Sequence, residues 1–128
     1  MAGFVIDEAT PWTEALLDRL QGGEEALVPA HWPIEVMNGL VMAVRRKRID
    51  LSRVARFASD LAALTIRIQP PLAPVAWDAV VQAAIKHNLT LYDAAYLELA
   101  HRTGLPLATL DGDLRKAAAA EGAPLVHA

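Results

Sequence analysis

The chain has 128 residues, of which 54% are apolar, a formal net charge of −3 and no cysteine. This length suits one domain over residues 1–128, and the apolar content can build one continuous core, which excludes intrinsic disorder. The acidic balance argues against a protein that coats nucleic acid through bulk positive charge. The lack of cysteine excludes disulfides and thiolate metal sites and fits the cytoplasm, where we expect the protein. No apolar run approaches the roughly 20 residues that span a bilayer, so we expect no membrane association.

In the first half of the chain, short apolar runs alternate with stretches of helical periodicity. The pattern predicts strands at residues 4–6, 26–28 and 65–68 and helices over residues 11–20 and 33–46. We expect Asp50 to cap a further helix. Its predicted buried stripe consists of Leu51, Val54, Ala55, Ala58, Leu61 and Ala62.

The second half continues this alternation. A helix is predicted from Trp77 to a left-handed end near Asn88, and another covers residues 92–102 and ends at Gly104. A strand follows at residues 107–110, then a helix over residues 114–121 and a short fifth strand at residues 124–126. Strands that alternate with helices favour an α/β fold with a mainly parallel sheet.

Four acidic residues stand where this fold places ligands. Asp7 and Asp111 directly follow strands, and Glu35 and Asp93 stand where helices begin. Open parallel sheets bind ligands at the carboxyl ends of their strands, so we expect the four carboxylates to converge on one edge.

Carboxylates that share a cleft need a cation, because like charges raise one another's pKa values. Hard oxygen ligands favour Mg²⁺ or Mn²⁺, which can activate water for attack on a phosphodiester. Each acid also has a purely structural interpretation: Thr90 and Asp93 form a capping box, Asp111 is an N-cap, Glu35 is solvated and Asp7 ends a strand.

Two segments resemble the PIN domains of VapC-type toxins. They are VPAHWPIEVMNGL, with a P-x-x-x-x-E-V-x-N pattern, and LTLYDAAYLELA, which is followed by LATLDGDL. The resemblance implies an α/β/α sandwich with strand order 3-2-1-4-5. It also implies an Mg²⁺-dependent endoribonuclease, the toxin of a type II toxin–antitoxin pair, with an RNA substrate and a cognate antitoxin. The family's acids match Asp7, Glu35, Asp93 and Asp111, with Asn38 and Thr109 as supporting polar residues and Asp113 as a further acid.

The N-terminal segment departs from the family pattern. The strand ending at Asp7 runs directly into EATPWTEALL, so a helix of about ten residues that usually stands between them is missing. Asp7 is therefore either the family's first acid or part of the segment beyond the gap.

Several other features have structural interpretations. The basic run at residues 45–48 is interpreted as a solvated helix end rather than an RNA contact, and core packing is predicted for Trp12, Trp32 and Trp77. His31, His87, His101 and His127 lack metal-ligand spacing. Val36, Leu40, Phe57 and Leu61 are either core residues or a surface for an antitoxin segment or for a second copy in a homodimer.

Two other functions stay open from the sequence. One is a catalytically weakened PIN fold that acts as a binding module, suggested by the gap after Asp7. The other is a receiver-like signalling domain, against which the chain lacks a lysine after the fifth strand.

Overall fold

A computed structural model of the chain describes residues 2–7 and 13–126. Four strands and six helices are formed by these residues. In chain order they are β1 (Ala2–Ile6), α1 (Glu14–Gln21), β2 (Glu25–Val28), α2 (Trp32–Arg45), α3 (Ser52–Ala62), β3 (Ile66–Ile68), α4 (Pro74–Lys86), α5 (Leu91–Thr103), β4 (Leu107–Ala108) and α6 (Gly112–Ala120).

The sheet is parallel throughout, with strand order β3-β2-β1-β4. β1 pairs with β2 and with β4, and its register places Val5 beside Leu27 on one side and beside Leu107 on the other. The predicted fifth strand is reduced to one parallel bridge, between Leu107 and Leu125. The α/β fold and the order of the first four strands are therefore confirmed, and the bridge occupies the position expected for the fifth.

The core lies around β1, whose residues Phe4, Val5 and Ile6 are fully buried. α5 packs on β1 and β4 and contacts α4 and α6, while α1 packs on β2. The packing of α5 explains why six of its residues are buried, Tyr96 completely. As a result, both ends of α5 are held in fixed positions relative to the strand ends.

The helix ends agree with the turn chemistry of the sequence. Gly104 ends α5 with φ of 71°, and Asn88 follows α4 with φ of 52°, as predicted for a left-handed cap. The Thr90 hydroxyl accepts a hydrogen bond from the backbone N–H of Asp93, so the first half of the predicted capping box is formed and Thr90 caps α5.

The prediction for α3 is wrong in two respects. Asp50 does not cap the helix: the N-cap is Leu51, without a side-chain hydrogen bond. Of the predicted buried stripe only Leu61 is buried, and Leu51 is 74% exposed. The periodicity correctly marks an apolar face, but α3 makes few contacts with the rest of the described chain, so that face has no cover.

The tryptophan predictions have mixed outcomes. Trp32 is buried at the start of α2, as expected. Trp77 is 57% exposed on α4, and its indole N–H donates to the Leu72 carbonyl at 3.0 Å, so core packing is wrong for this residue. Trp12 lies outside the described residues, as do His127 and the start of the predicted first helix.

Candidate active site

The carboxyl edge of the sheet collects the four predicted acids from four different elements. Asp7 follows β1, Glu35 lies in the first turn of α2, Asp93 in the first turn of α5, and Asp111 caps α6 after β4. Electrostatic repulsion from Asp7 reaches both Glu35 and Asp93, and Asp111 acts on Asp93. The acids thus lie within electrostatic range of one another.

Asp7 and Asp111 are linked through Thr109. Asp7 is 3% exposed, and its Oδ2 accepts a hydrogen bond from the Thr109 hydroxyl at 2.5 Å. The same hydroxyl oxygen accepts from the backbone N–H of Asp111 at 3.1 Å. Thr109, which the sequence suggested as a supporting residue, therefore joins the end of β1 to the start of α6.

The Glu35 carboxylate is held in place by a side chain of α5. Its Oε1 accepts a hydrogen bond from the Tyr96 hydroxyl at 3.0 Å and lies 3.1 Å from Nε2 of His31. Burial raises the pKa of the Glu35 carboxyl above its usual value, and the carboxylates of Asp93 and Asp7 raise it further, whereas the Tyr96 hydrogen bond opposes the rise.

Asp93 has the same electrostatic character. Burial raises the pKa of its carboxyl, and Asp111 and Asp7 add to the rise, while a hydrogen bond with Thr90 and the nearby His31 oppose it. Two neighbouring acids with raised pKa values mark a site in which negative charge is uncompensated. Such sites are typical of cation binding or catalysis.

The structural roles foreseen for the acids coexist with this clustering. Asp111 Oδ1 accepts from the backbone N–H of Asp113 at 3.2 Å, as an N-cap does, and the backbone N–H of Asp93 donates to the Thr90 hydroxyl. These contacts do not remove the repulsion between the two carboxylates. The cap interpretation thus describes the local contacts of these acids correctly, but it does not explain why the acids lie close together.

Two suggested supporting residues have exposed side chains. Asn38 lies on α2, and its side chain forms no hydrogen bond to another described residue. Asp113 is exposed, and its backbone, not its carboxylate, contacts Asp111. Nothing in their contacts distinguishes either from an ordinary surface residue.

His31 is the neighbour that the sequence did not reveal. Its ring packs between Tyr92 and Tyr96, at centroid distances of 5.3 and 5.2 Å, and contacts Glu35. In the sequence His31 has no partner at metal-ligand spacing, so spacing alone does not mark it. The signal that could have found it is position: His31 stands one helical turn before Glu35.

The donor set is chemically suited to a hard divalent cation, since it consists of carboxylate oxygens that repel one another. Among residues 2–7 and 13–126, however, no three or more His, Cys, Asp or Glu side chains are arranged closely enough to hold one ion as they stand. The carboxylates are near neighbours rather than a closed coordination shell.

The fold and this edge of acids define the class of protein. The sequence pattern of the PIN domain matches residues 4–120. The chain is similar to "Ribonuclease VapC12" of Mycobacterium tuberculosis, with 33% identity over 105 residues, which is 82% of this chain and 78% of that protein. It is also 34% identical over 92 residues to "Exonuclease VapC9" of Pyrobaculum aerophilum, covering 70% of this chain and 65% of that one.

A solved structure agrees with the sequence matches. PAE2754 from Pyrobaculum aerophilum superposes with a TM-score of 0.72 at 23% identity, covering 91% of this chain and 86% of that one. The chain belongs to the PIN-domain family, of the VapC type. The resemblance noted from its motifs is confirmed, and a receiver-like domain is excluded.

Proposed function

We propose that the protein is a metal-dependent endoribonuclease, the toxin of a type II toxin–antitoxin pair in the cytoplasm. The observation that carries the proposal is the group of four carboxylates at the carboxyl edge of a PIN-type sheet, where Asp7 repels Glu35 and Asp93 and Asp111 repels Asp93. The names of its VapC-type relatives support nuclease chemistry. No helix in the described parts of the chain could cross a membrane.

Asp7, Glu35, Asp93 and Asp111 would hold Mg²⁺ or Mn²⁺. The ion, when bound, would polarise the scissile phosphodiester and make a water molecule acidic enough to attack it. Tyr96 fixes the Glu35 carboxylate through its hydroxyl, and Thr109 fixes that of Asp7, so neither must be reoriented when the substrate arrives. This preorganisation is the contribution of the protein itself.

Cleavage of single-stranded RNA tests the proposal. The purified protein should cut RNA in Mg²⁺ and stop in EDTA. Asp93→Asn should lower kcat by at least about a hundredfold, because loss of a mere outer partner of a metal ligand already costs ten- to a hundredfold. It should also weaken Mn²⁺ binding in a direct titration.

Asp78→Asn is the matched control, since Asp78 is an exposed α4 acid whose carboxylate contacts only Gln82 among the described residues. It should leave both cleavage and Mn²⁺ binding unchanged. If the wild-type protein leaves RNA intact in both Mg²⁺ and Mn²⁺, the ribonuclease proposal is contradicted and the binding-module alternative takes its place.

The antitoxin is the proposed regulator of this site. An arginine or lysine from the partner could take the place of the metal among the carboxylates, since a fixed cation relieves the same repulsion. Co-expression with the product of the neighbouring gene should give a complex without RNA cleavage. An active complex would contradict this mode of inhibition.

The proposal includes a homodimer. Trp77, Val81 and Ile85 follow one another at intervals of four residues on α4 and are 57%, 45% and 78% exposed, so they form one apolar stripe on the helix surface. A continuous apolar stripe of this kind is typical of a surface that another protein covers. A second copy is the simplest partner.

A further inference from the structure

A cavity of about 230 Å³ lies directly behind His31. Its walls come from residues 29–31 between β2 and α2, from residues 69–72 between β3 and α4, and from one face of α5. Because His31 also contacts Glu35, one imidazole ring separates this cavity from the carboxylates of the candidate active site. A group bound in the cavity would therefore lie next to a phosphodiester held by those carboxylates.

Besides the His31 imidazole, the polar side chains of the cavity are an ion pair and an amide. Glu98 Oε1 accepts a hydrogen bond from Nε of Arg102 at 2.7 Å, and the side chains are 14% and 55% exposed. Gln69 lines the opposite wall. Its Nε2 donates to the Arg67 carbonyl at 3.5 Å, and its Oε1 accepts no hydrogen bond from the described residues.

The charge of this cavity argues against a phosphate. An anion would meet the largely buried Glu98 carboxylate, whose negative charge is already balanced by Arg102. A neutral, planar group that offers both donors and acceptors fits better, since Glu98 accepts and Arg102 donates side by side. Apart from His31, the remaining walls are apolar or small: Pro29, Ala30, Pro70, Pro71, Leu72, Ala95 and Leu99.

We propose that this cavity binds one nucleobase of the RNA substrate next to the scissile phosphate, and that it selects a base with an exocyclic amino group. The inference rests on the proposed ribonuclease function and adds its sequence preference. Specific recognition of RNA uses unstacked bases read at their hydrogen-bonding edges, and acidic side chains accept from base amino groups. The Glu98 carboxylate would accept from the amino group, and the Arg102 guanidinium would donate to the ring nitrogen or carbonyl beside it.

Cleavage-site preference tests the proposal. The wild-type protein should cut a pool of random RNA with a strong preference at one position beside the cut, where adenine, cytosine or guanine is favoured over uracil. Glu98→Gln and Arg102→Ala should each reduce that preference roughly tenfold, the usual effect of one base contact. Neither variant should change Mn²⁺ binding.

Arg56→Ala is the matched control, because Arg56 and Asp60 form an exposed pair at the same spacing on α3. It should leave the preference intact. A second readout is binding of short oligonucleotides of A, C or U in EDTA, where no cleavage interferes: wild type should bind A and C more tightly than U, and Glu98→Gln should bind all three alike.

The outcomes separate the two proposals. If wild type and both cavity variants cleave RNA with the same base preference, the proposal that the cavity binds a nucleobase is contradicted. The ribonuclease proposal then stands, and a protein partner becomes the alternative occupant of the cavity. If the protein does not cleave RNA, the ribonuclease function is contradicted. The oligonucleotide binding measured in EDTA then tests the cavity by itself: equal binding of A, C and U by wild type would contradict nucleobase selection.

Discussion

Asp93 combines two roles at the start of α5. Its backbone N–H donates to the Thr90 hydroxyl that caps the helix, and burial raises the pKa of its carboxyl, with a further rise from the Asp111 and Asp7 carboxylates. The first role stabilises the helix and the second destabilises the ionised site. Residues that stabilise local structure but repel neighbouring charges are typical of functional sites, where activity is kept at the expense of folding stability.

Removal of this charge should therefore stabilise the metal-free protein. The pKa values of Asp93 and Glu35 are raised on folding, so the folded state holds protons that the unfolded state has already lost. Stability in EDTA should fall as the pH rises from the unfolded values, near 3.8 and 4.5, through the raised folded values. Asp93→Asn should weaken this dependence and, at pH 7, increase the free energy of unfolding by about 1 kcal/mol.

Urea unfolding at several pH values, with and without Mn²⁺, measures this effect. Mn²⁺ should stabilise the wild type more than Asp93→Asn, because a ligand stabilises in proportion to its affinity for the folded state. Asp60→Asn, which changes an exposed α3 acid, serves as the control. An Asp93→Asn protein less stable than wild type in EDTA at pH 7 would mean that capping outweighs repulsion.

At the scale of elements, glycines in two different backbone conformations offer a matched comparison. Gly104 ends α5 with φ of 71°, and Gly39 lies inside α2; a Cβ atom at either position would meet nothing within 4 Å. Any effect of alanine therefore comes from the backbone alone. Gly104→Ala should cost about 1 kcal/mol, and Gly39→Ala should gain roughly 0.5–1 kcal/mol.

Thermal and urea unfolding of both variants would check this pair. Opposite signs are expected because the left-handed conformation penalises a Cβ atom, whereas the helix interior favours it. Effects of the same sign would show that contacts beyond the described structure act at one of these positions.

The sequence predicted some of these elements better than others. The end of β1 was predictable, because the hydrophobic run ending at Asp7 reflects burial within one chain. The strand predicted at residues 107–110 ends at Ala108 instead, and Leu110 before Asp111 is 69% exposed. The exposure of α3 and of Trp77 was not predictable, because periodicity marks an apolar face without saying what covers it. His31 was missed in part for a similar reason: its contacts with Tyr92 and Tyr96 depend on how α2 and α5 meet, whereas its position four residues before Glu35 is a local signal.

For the whole molecule, the α4 stripe makes the homodimer testable. Ile85→Glu places a charge within the proposed contact and should raise the dimer dissociation constant at least tenfold, since each copy loses an isoleucine that the interface would bury. Val75 is the control: it is 92% exposed on the same helix but points away from the stripe, so Val75→Glu should keep the dimer.

Light scattering after gel filtration at a range of concentrations would measure both variants. A wild-type protein that is monomeric at all concentrations would contradict the homodimer. Unchanged association of Ile85→Glu would move the interface away from α4.

The distribution of the four acids along the chain has a consequence for the cell that makes the protein. Positions 7, 35, 93 and 111 belong to segments that become neighbours only when β1 has paired with both β2 and β4. A growing polypeptide on the ribosome therefore carries no complete set of carboxylates until the segment around Asp111 has been synthesised and has joined the sheet. A partial chain that ends before residue 111 therefore lacks one of the four carboxylates that we propose hold the metal, and the proposed nuclease site is complete only when nearly all of the sequence has been translated.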